Sequence, residues 1–271
     1  MRKLMIIIFS TLLFLTACAS PLSDDGEVVT ERVYPEFEEI EIPRTFLPKP
    51  ITVVGLGDSL TEGIGDELKN GGYFGRLSIL MEDWTGISDV EATNLAKKGR
   101  RSDQLIEQLE KTAVQEHIQQ ADMILITIGG NDLMKIIKRD LFKLRVKPFY
   151  EEMEKFADRL SEVFSIIRAL NDEAVIVIGG LYNPFSIVGE EPLELKEILA
   201  DWNTIIANQT YLDGKACFVD VYDLFYSNDN MVYHTDFFHP NAKGYAEMTE
   251  RYIESLKECN LKELSNGNFD L

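Results

Sequence analysis

Cations, cysteines and histidines are all scarce in this chain. Its 271 residues hold 27 Lys and Arg against 46 Asp and Glu, a formal net charge of −19. So acidic a chain is repelled by nucleic acid and by anionic lipid head groups, which argues against either as a partner bound through a basic surface. A metal centre is poorly supported. His117 falls inside a helical stretch, and His234 and His239 lack a clustered Cys or carboxylate set at ligand spacing. No cofactor and no protein partner is implied. No internal repeat is visible, so a solenoid is not expected. The N-terminal apolar run, Leu4 to about Leu15, is too short for a comfortable transmembrane helix.

What is present suits a folded enzyme-sized domain. The chain is 45% apolar and 27% charged, enough for a real core. Arg2 and Lys3 precede the apolar run, and Leu15-Thr16-Ala17-Cys18 follows it. This reads as a signal segment, residues 1–17, ending in a bacterial lipobox with Cys18 as the lipidated residue. The other reading is an ordinary signal peptide with a chance Cys. Cleavage would remove two cations and no acid, leaving −21. The expected location is the outer face of the cell membrane, held there by lipid.

Residues 18–48 read as an acidic tether, because eight carboxylates between Asp24 and Glu41 face only Arg32 and Arg44. Residues 49–260 form the expected domain and residues 261–271 a C-terminal tail. Within the domain, short apolar runs alternate with amphipathic stretches. The runs are Ile51–Leu56, Val90–Leu95, Met123–Ile128, Val175–Ile178 and Cys217–Val219. Helices are expected over Tyr73–Trp84, Asp103–Gln119, Leu133–Phe142, Phe149–Leu170, Pro192–Ala207 and Ala242–Lys257. Near-continuous apolar strands separated by helices predict a five-stranded parallel sheet covered on both faces. Right-handed crossovers give a flavodoxin-like, three-layer α/β/α fold. Cys217 and Cys259 read as buried free thiols, since helix-to-sheet spacing strains the separation a disulfide needs, although an oxidising location leaves pairing open.

In such sheets, sites form beyond the carboxyl ends of the strands. After the first strand stands Gly57-Asp58-Ser59-Leu60. Ser59 is either an exposed nucleophile or part of a helix cap with Asp58. After the second stands Gly99, able to present a bare N–H or simply to turn the chain. After the third comes Gly129-Gly130-Asn131-Asp132, where the Asn131 amide can donate to an oxyanion or the segment can be a turn. After the fifth comes Asp236-Phe237-Phe238-His239-Pro240, in which a carboxylate three residues before an imidazole can hold its tautomer. The Ser59 segment lacks the second Gly of a G-x-S-x-G elbow.

Taken together, these four blocks resemble the SGNH/GDSL lipase–esterase family over roughly residues 50–258. The resemblance implies a carboxylic ester hydrolase with no cofactor. It implies Ser59 as nucleophile, His239 as base and then acid, and Asp236 as its orienting partner. Ser59 N–H, Gly99 N–H and the Asn131 amide would form the oxyanion hole. The implied substrate is a small-molecule or lipid ester. Phe237, Phe238, Tyr182, Phe185 and Ile187 are placed to form an apolar rim or to pack as ordinary loop aromatics. Lys97, Lys98, Arg100 and Arg101 are either a solvated loop face or a steering patch for an anionic ester. Sugar O-deacetylation is the alternative enzyme reading. A non-catalytic surface binding lipoprotein would need one of the four blocks broken, and none is.

Overall fold

Alternation of apolar residues along the strands builds two cores on one sheet. A computed structural model describes residues 42–139, 145–183, 193–225, 231–236 and 238–271. The signal segment, Cys18, most of the tether, and Phe185, Ile187 and Phe237 lie outside the described residues. Five strands, β1 (Lys49–Gly57), β2 (Ile87–Asn94), β3 (Met123–Thr127), β4 (Val175–Gly179) and β5 (Ala216–Val219), form a parallel sheet in the order β2-β1-β3-β4-β5. Side chains of successive residues point to opposite faces. Val54, Leu56, Ile124, Ile126, Ile176 and Ile178 therefore enter one core, and Ile51, Val53, Met123, Leu125, Val175 and Val177 the other.

Helices cover both faces. The short α1 (Ser59–Glu62) follows β1, and α2 (Gly72–Leu80) leads toward β2. On the first face lie α3 (Ser102–Leu109), α4 (Thr112–Gln120), α5 (Gly130–Arg139), α6 (Lys147–Leu170) and α7 (Leu193–Asp213). On the second, α2 is joined by α8 (Ala242–Glu258) and α9 (Leu261–Leu264). The expected flavodoxin-like layout is thus the observed one. Edge strand β2 is the exception to the apolar strand pattern. Its outward residues include Asp89 and Glu91, charges that discourage another strand from pairing there.

Three details differ from expectation. The helix expected over Asp103–Gln119 is two helices, broken at Glu110 and Lys111 without Gly or Pro. The break lets Leu105, Leu109, Val114 and Ile118 all face one core. Helix α7 runs on to Asp213 and stops at Gly214, whose φ of 77° suits the left-handed turn that ends a helix. The last residues are no separate tail. Asn260 turns the chain back at φ 54°, Leu261 and Phe269 are buried, and Thr85 and Asp270 exchange backbone hydrogen bonds of 3.0 and 3.1 Å. Burial of that one ring and that bridge extends the domain to the chain end.

Cys217 and Cys259 are joined in a disulfide, with Cα atoms 5.9 Å apart. The expectation of free thiols took the spacing between a helix axis and a sheet. Cys259 stands instead at the C-cap of α8, and the end of that helix packs closely enough on β5 to bring the two Cα atoms within bonding reach. The bond closes a segment with a sequence separation of 42. Loop-closure entropy then gives about 2–4 kcal/mol. Replacing Cys259 by Ser should lower the unfolding free energy by about that much in a denaturant titration. Reductant should produce the same loss in the parent and none in the variant; equal stability with and without the bond would show that it constrains nothing.

Candidate active site

The strand order reverses direction at β1: the chain moves to β2 on one side and then crosses to β3 on the other. The crevice at such a switch point lies beyond the carboxyl ends of the two central strands. Here the ends of β1 and β3 press together. Gly57 has φ 98°, and a Cβ there would lie 2.0 Å from Thr127 O. Only glycine fits. Asp58 N–H then donates to Thr127 O at 2.9 Å, and the Thr127 hydroxyl donates to Asp58 Oδ1 at 2.7 Å.

This junction starts α1 and aims its first turn. Asp58 caps the helix by accepting from Leu60 N–H at 3.1 Å. Thr61 N–H donates to Thr127 Oγ1 and Glu62 N–H to Asp58 O. Of the first four amides of α1, only that of Ser59 has no acceptor among the described residues. The helix therefore presents one bare N–H beside the Ser59 hydroxyl.

The partner loop comes from the other end of the chain. A bridge between Tyr233 and Pro240, with His234 N–H donating to His239 O at 2.8 Å, draws the two ends of this loop together. Asp236 organises the tip. Its Oδ1 accepts from Phe238 N–H and His239 N–H at 3.1 and 3.0 Å, and its Oδ2 lies 2.6 Å from His239 Nδ1. Nδ1 then carries the proton, and His239 Nε2 accepts from Ser59 Oγ at 2.9 Å. Burial works against charge on Asp236, but the hydrogen bonds from the His239 ring and the two backbone amides hold its carboxyl down at about 2. Burial also pushes the His239 imidazole below its ordinary value, against the pull of Asp236, which favours the neutral ring whose Nε2 can accept a proton.

Asn131 stands across the cleft from this pair of loops. Its amide donates one hydrogen to Arg100 O at 3.0 Å, and the second has no acceptor among the described residues. The Gly99–Ser102 loop that supplies this acceptor is pinned from several sides. Lys97 N–H donates to Gly57 O at 3.0 Å, Lys98 N–H to the Glu62 carboxylate, and the Arg100 guanidinium to Gly57 O and Leu95 O. Ser102 gives both its N–H and its hydroxyl to Asp132, which Arg159 also meets. Asp132, which the sequence reading left as the end of a segment that can be a turn, is thus a buried tie between the second and third blocks. Gly99 has φ 81° and an N–H that donates to no described residue; it lines a second cavity next to the cleft.

Apolar side chains complete the cleft. It measures about 520 Å³ including its open mouth and is lined by Ser59, Asn131, Leu133, Met134, Leu181, Tyr182, Leu199 and Phe238, among others. Tyr182 and Phe238 therefore stand on the expected rim, tied by a 2.7 Å hydrogen bond from the Tyr182 hydroxyl to Phe238 O. Leu133, Met134 and Leu199 escaped the sequence reading because their helical spacing marks only a buried face. His234 faces the solvent side of the loop beside Asp236, with 3.8 Å between Nδ1 and Oδ1. Among the described residues no three His, Cys, Asp or Glu side chains are grouped to hold a metal ion.

A model of the GDSL-like lipase/acylhydrolase family matches residues 56–247. The chain is 35% identical over 255 residues to a Bacillus subtilis (strain 168) protein described as uncharacterized protein YpmR, covering 93% of this chain and 95% of that one. It is 26% identical over 200 residues to the spore germination lipase LipC of Bacillus licheniformis, covering 72% and 92%. Among solved structures, the lipase Lip_vut3 from a goat rumen metagenome superimposes with a TM-score of 0.64 at 26% identity, over 76% of this chain and 97% of that one.

Asp58 offers a test of the junction itself. Burial raises its carboxyl to about 7, against the pull of its hydrogen bonds from Thr127 and Leu60. The folded state thus keeps a proton that the unfolded state loses near its ordinary value of 3.8, so stability falls as pH rises from about 4 to about 7. Asp58→Asn keeps the accepting oxygen and removes the titration. Denaturant titrations should show the variant gaining on the parent between about pH 4 and about pH 7. A constant difference across that window would place the carboxyl's ionisation elsewhere.

Proposed function

Since the chain belongs to the GDSL-like lipase/acylhydrolase family and is a carboxylic ester hydrolase, we propose that Ser59, His239 and Asp236 carry its reaction through an acyl-enzyme. The observation behind this is the unbroken line Ser59 Oγ–His239 Nε2–His239 Nδ1–Asp236 Oδ2, at 2.9 and 2.6 Å, on the rim of an apolar cleft. Ser59 attacks the ester carbonyl as His239 takes its proton. The oxyanion receives Ser59 N–H, Gly99 N–H and the free hydrogen of Asn131 Nδ2. His239, now an imidazolium steadied by Asp236, protonates the leaving alcohol. Water then attacks the acyl-enzyme with His239 as base, and Ser59 is restored.

The apolar lining favours an acyl chain over an acetyl group. Among nitrophenyl esters, turnover should rise from acetate toward longer chains, and acetylated sugars should be poor substrates. The opposite order would favour sugar O-deacetylation. Ser59→Ala should lower kcat by on the order of 10⁴-fold or more. Asn131→Ala should cost on the order of 10²–10³ with little change in KM. Full activity in either variant would remove that residue from the mechanism.

We also propose that the enzyme works outside the cytoplasm, anchored by lipid on Cys18. The Leu15-Thr16-Ala17-Cys18 sequence behind an apolar run supports this, as does a disulfide, which persists in oxidising compartments. A Cys18→Ser chain should leave the membrane fraction; its undiminished recovery there would contradict the anchor.

A further inference from the structure

Two parts of the site meet at one side chain, that of Tyr182. Past β4 the chain continues through residues 180–183, and this segment is bound to the scaffold beneath it. Gly180 N–H donates to Val219 O of β5 at 2.8 Å. The buried Asn203 of α7 answers Leu181 as a neighbouring strand would. Its Oδ1 accepts from Leu181 N–H at 2.7 Å, and its Nδ2 donates to Leu181 O at 2.9 Å. Tyr182 thus follows two residues whose backbone is held by the sheet and by a helix. Its buried ring lies 4.2 Å from that of Phe225, centroid to centroid, and lines the apolar cleft.

The Tyr182 hydroxyl leaves the cleft wall and reaches the His239 loop, donating to Phe238 O at 2.7 Å. Burial raises the phenol well above its ordinary value, so it stays a donor around neutral pH. The acceptor belongs to the peptide that carries His239. Phe238 O and His239 N–H are the two ends of one planar amide. Asp236 Oδ1 accepts from that N–H at 3.0 Å. The amide is therefore clamped at both ends, by Tyr182 on its oxygen and by Asp236 on its nitrogen. Clamping both ends fixes the tilt of the plane, and the Cα of His239 is attached directly to it. The Phe238 ring, itself part of the cleft lining, meets the imidazole edge-on at 4.9 Å. Proton transfer from Ser59 to His239 runs along a 2.9 Å line, and small misplacements of such a pair are costly in rate.

We propose that Tyr182 is a positioning residue that joins the acyl cleft to the base: its ring forms the wall on which the acyl chain packs, and its hydroxyl holds the peptide between Phe238 and His239 so that the imidazole stays aligned with Ser59. A chain long enough to cover the ring immobilises the phenol and keeps water from its hydrogen bond. Part of the binding energy of the chain is then realised as alignment of the base, and a longer chain raises kcat as well as lowering KM. The inference rests on the ester hydrolase reading above.

Tyr182→Phe separates the two roles, since it keeps the ring and removes the hydroxyl. Turnover of nitrophenyl octanoate and nitrophenyl acetate is compared in the parent and the variant. With the octanoate, kcat should fall by about tenfold or more; with the acetate, by about threefold or less. KM for either ester should stay within about twofold, because the wall of the cleft is intact. An unchanged kcat, a loss confined to KM, or an equal fractional loss of kcat on both esters overturns the proposal. Hydrogen exchange followed by mass spectrometry reads the clamp whether or not any ester is cleaved. The peptide that holds Phe238 and His239 should exchange about tenfold faster in the variant, with peptides of β1 and β3 unchanged. Equal exchange in the two proteins, or uniform acceleration along the whole chain, overturns the proposal. Inertness of the parent toward every ester would count against the hydrolase reading alone, and the exchange rates would still decide the clamp.

Discussion

The contact between the carboxyl ends of β1 and β3 is the constraint on which the site depends. Because residue 57 has no side chain, Thr127 O can approach the β1 backbone, and Asp58 and Thr127 close the gap with two hydrogen bonds. The same threonine accepts from Thr61 N–H and lies 2.8 Å from the Thr61 hydroxyl, which is in turn 2.8 Å from the Tyr73 hydroxyl. This buried chain fixes the first turn of α1 against the sheet. With Leu60, Thr61 and Glu62 amides all engaged, the Ser59 amide is left over, next to its own hydroxyl. Asp58 is thus a structural residue of the site: its carboxyl is held by the Thr127 hydroxyl and the Leu60 amide.

A second set of contacts brings His239 to Ser59 from 180 residues away. The Asp66 carboxylate accepts from Leu68, Asn70 and Gly72 amides and receives both ends of the Arg76 guanidinium. Arg76 also reaches Ala242 O, the Glu67 carboxylate caps Ala242 N–H, and the Tyr245 hydroxyl donates to Ile64 O. The loop after α1 is in this way buttoned to the start of α8, immediately after His239. Gly65 allows the closest approach, since a Cβ there would lie 2.4 Å from Pro240 O and 3.0 Å from His239 Cβ. Charge-assisted, bidentate bonds of this kind are strong and directional, which suits a joint whose tolerance is a fraction of an ångström.

Most of the strands, the layer order and the four motif-bearing strand ends were legible in the sequence, because apolar period and chain order carry them directly. Ser59, Asn131, Asp236 and His239 stand where their blocks suggested, and the structure adds the contacts that join them. What escaped the reading depends on tertiary contact. The break between α3 and α4 has no Gly or Pro to mark it and follows from packing two short faces on one core. The disulfide turned on how closely the last turn of α8 packs on β5. Arg159 sits on the long helix α6 and reaches Asp132 and Ser102, a role no spacing announces. Lys97, Lys98 and Arg100 were visible as a basic run, but only the fold shows that Lys111, a helix away, lines the same cavity.

The central claim is that Ser59 is the atom donor that becomes acylated, activated through His239. Peptide mapping by mass spectrometry after reaction with a fluorophosphonate probe addresses it most directly. The account predicts a single adduct on the peptide that contains Ser59, lost in Ser59→Ala and formed more slowly in His239→Ala. An adduct on another residue, or labelling that persists in Ser59→Ala, would contradict it.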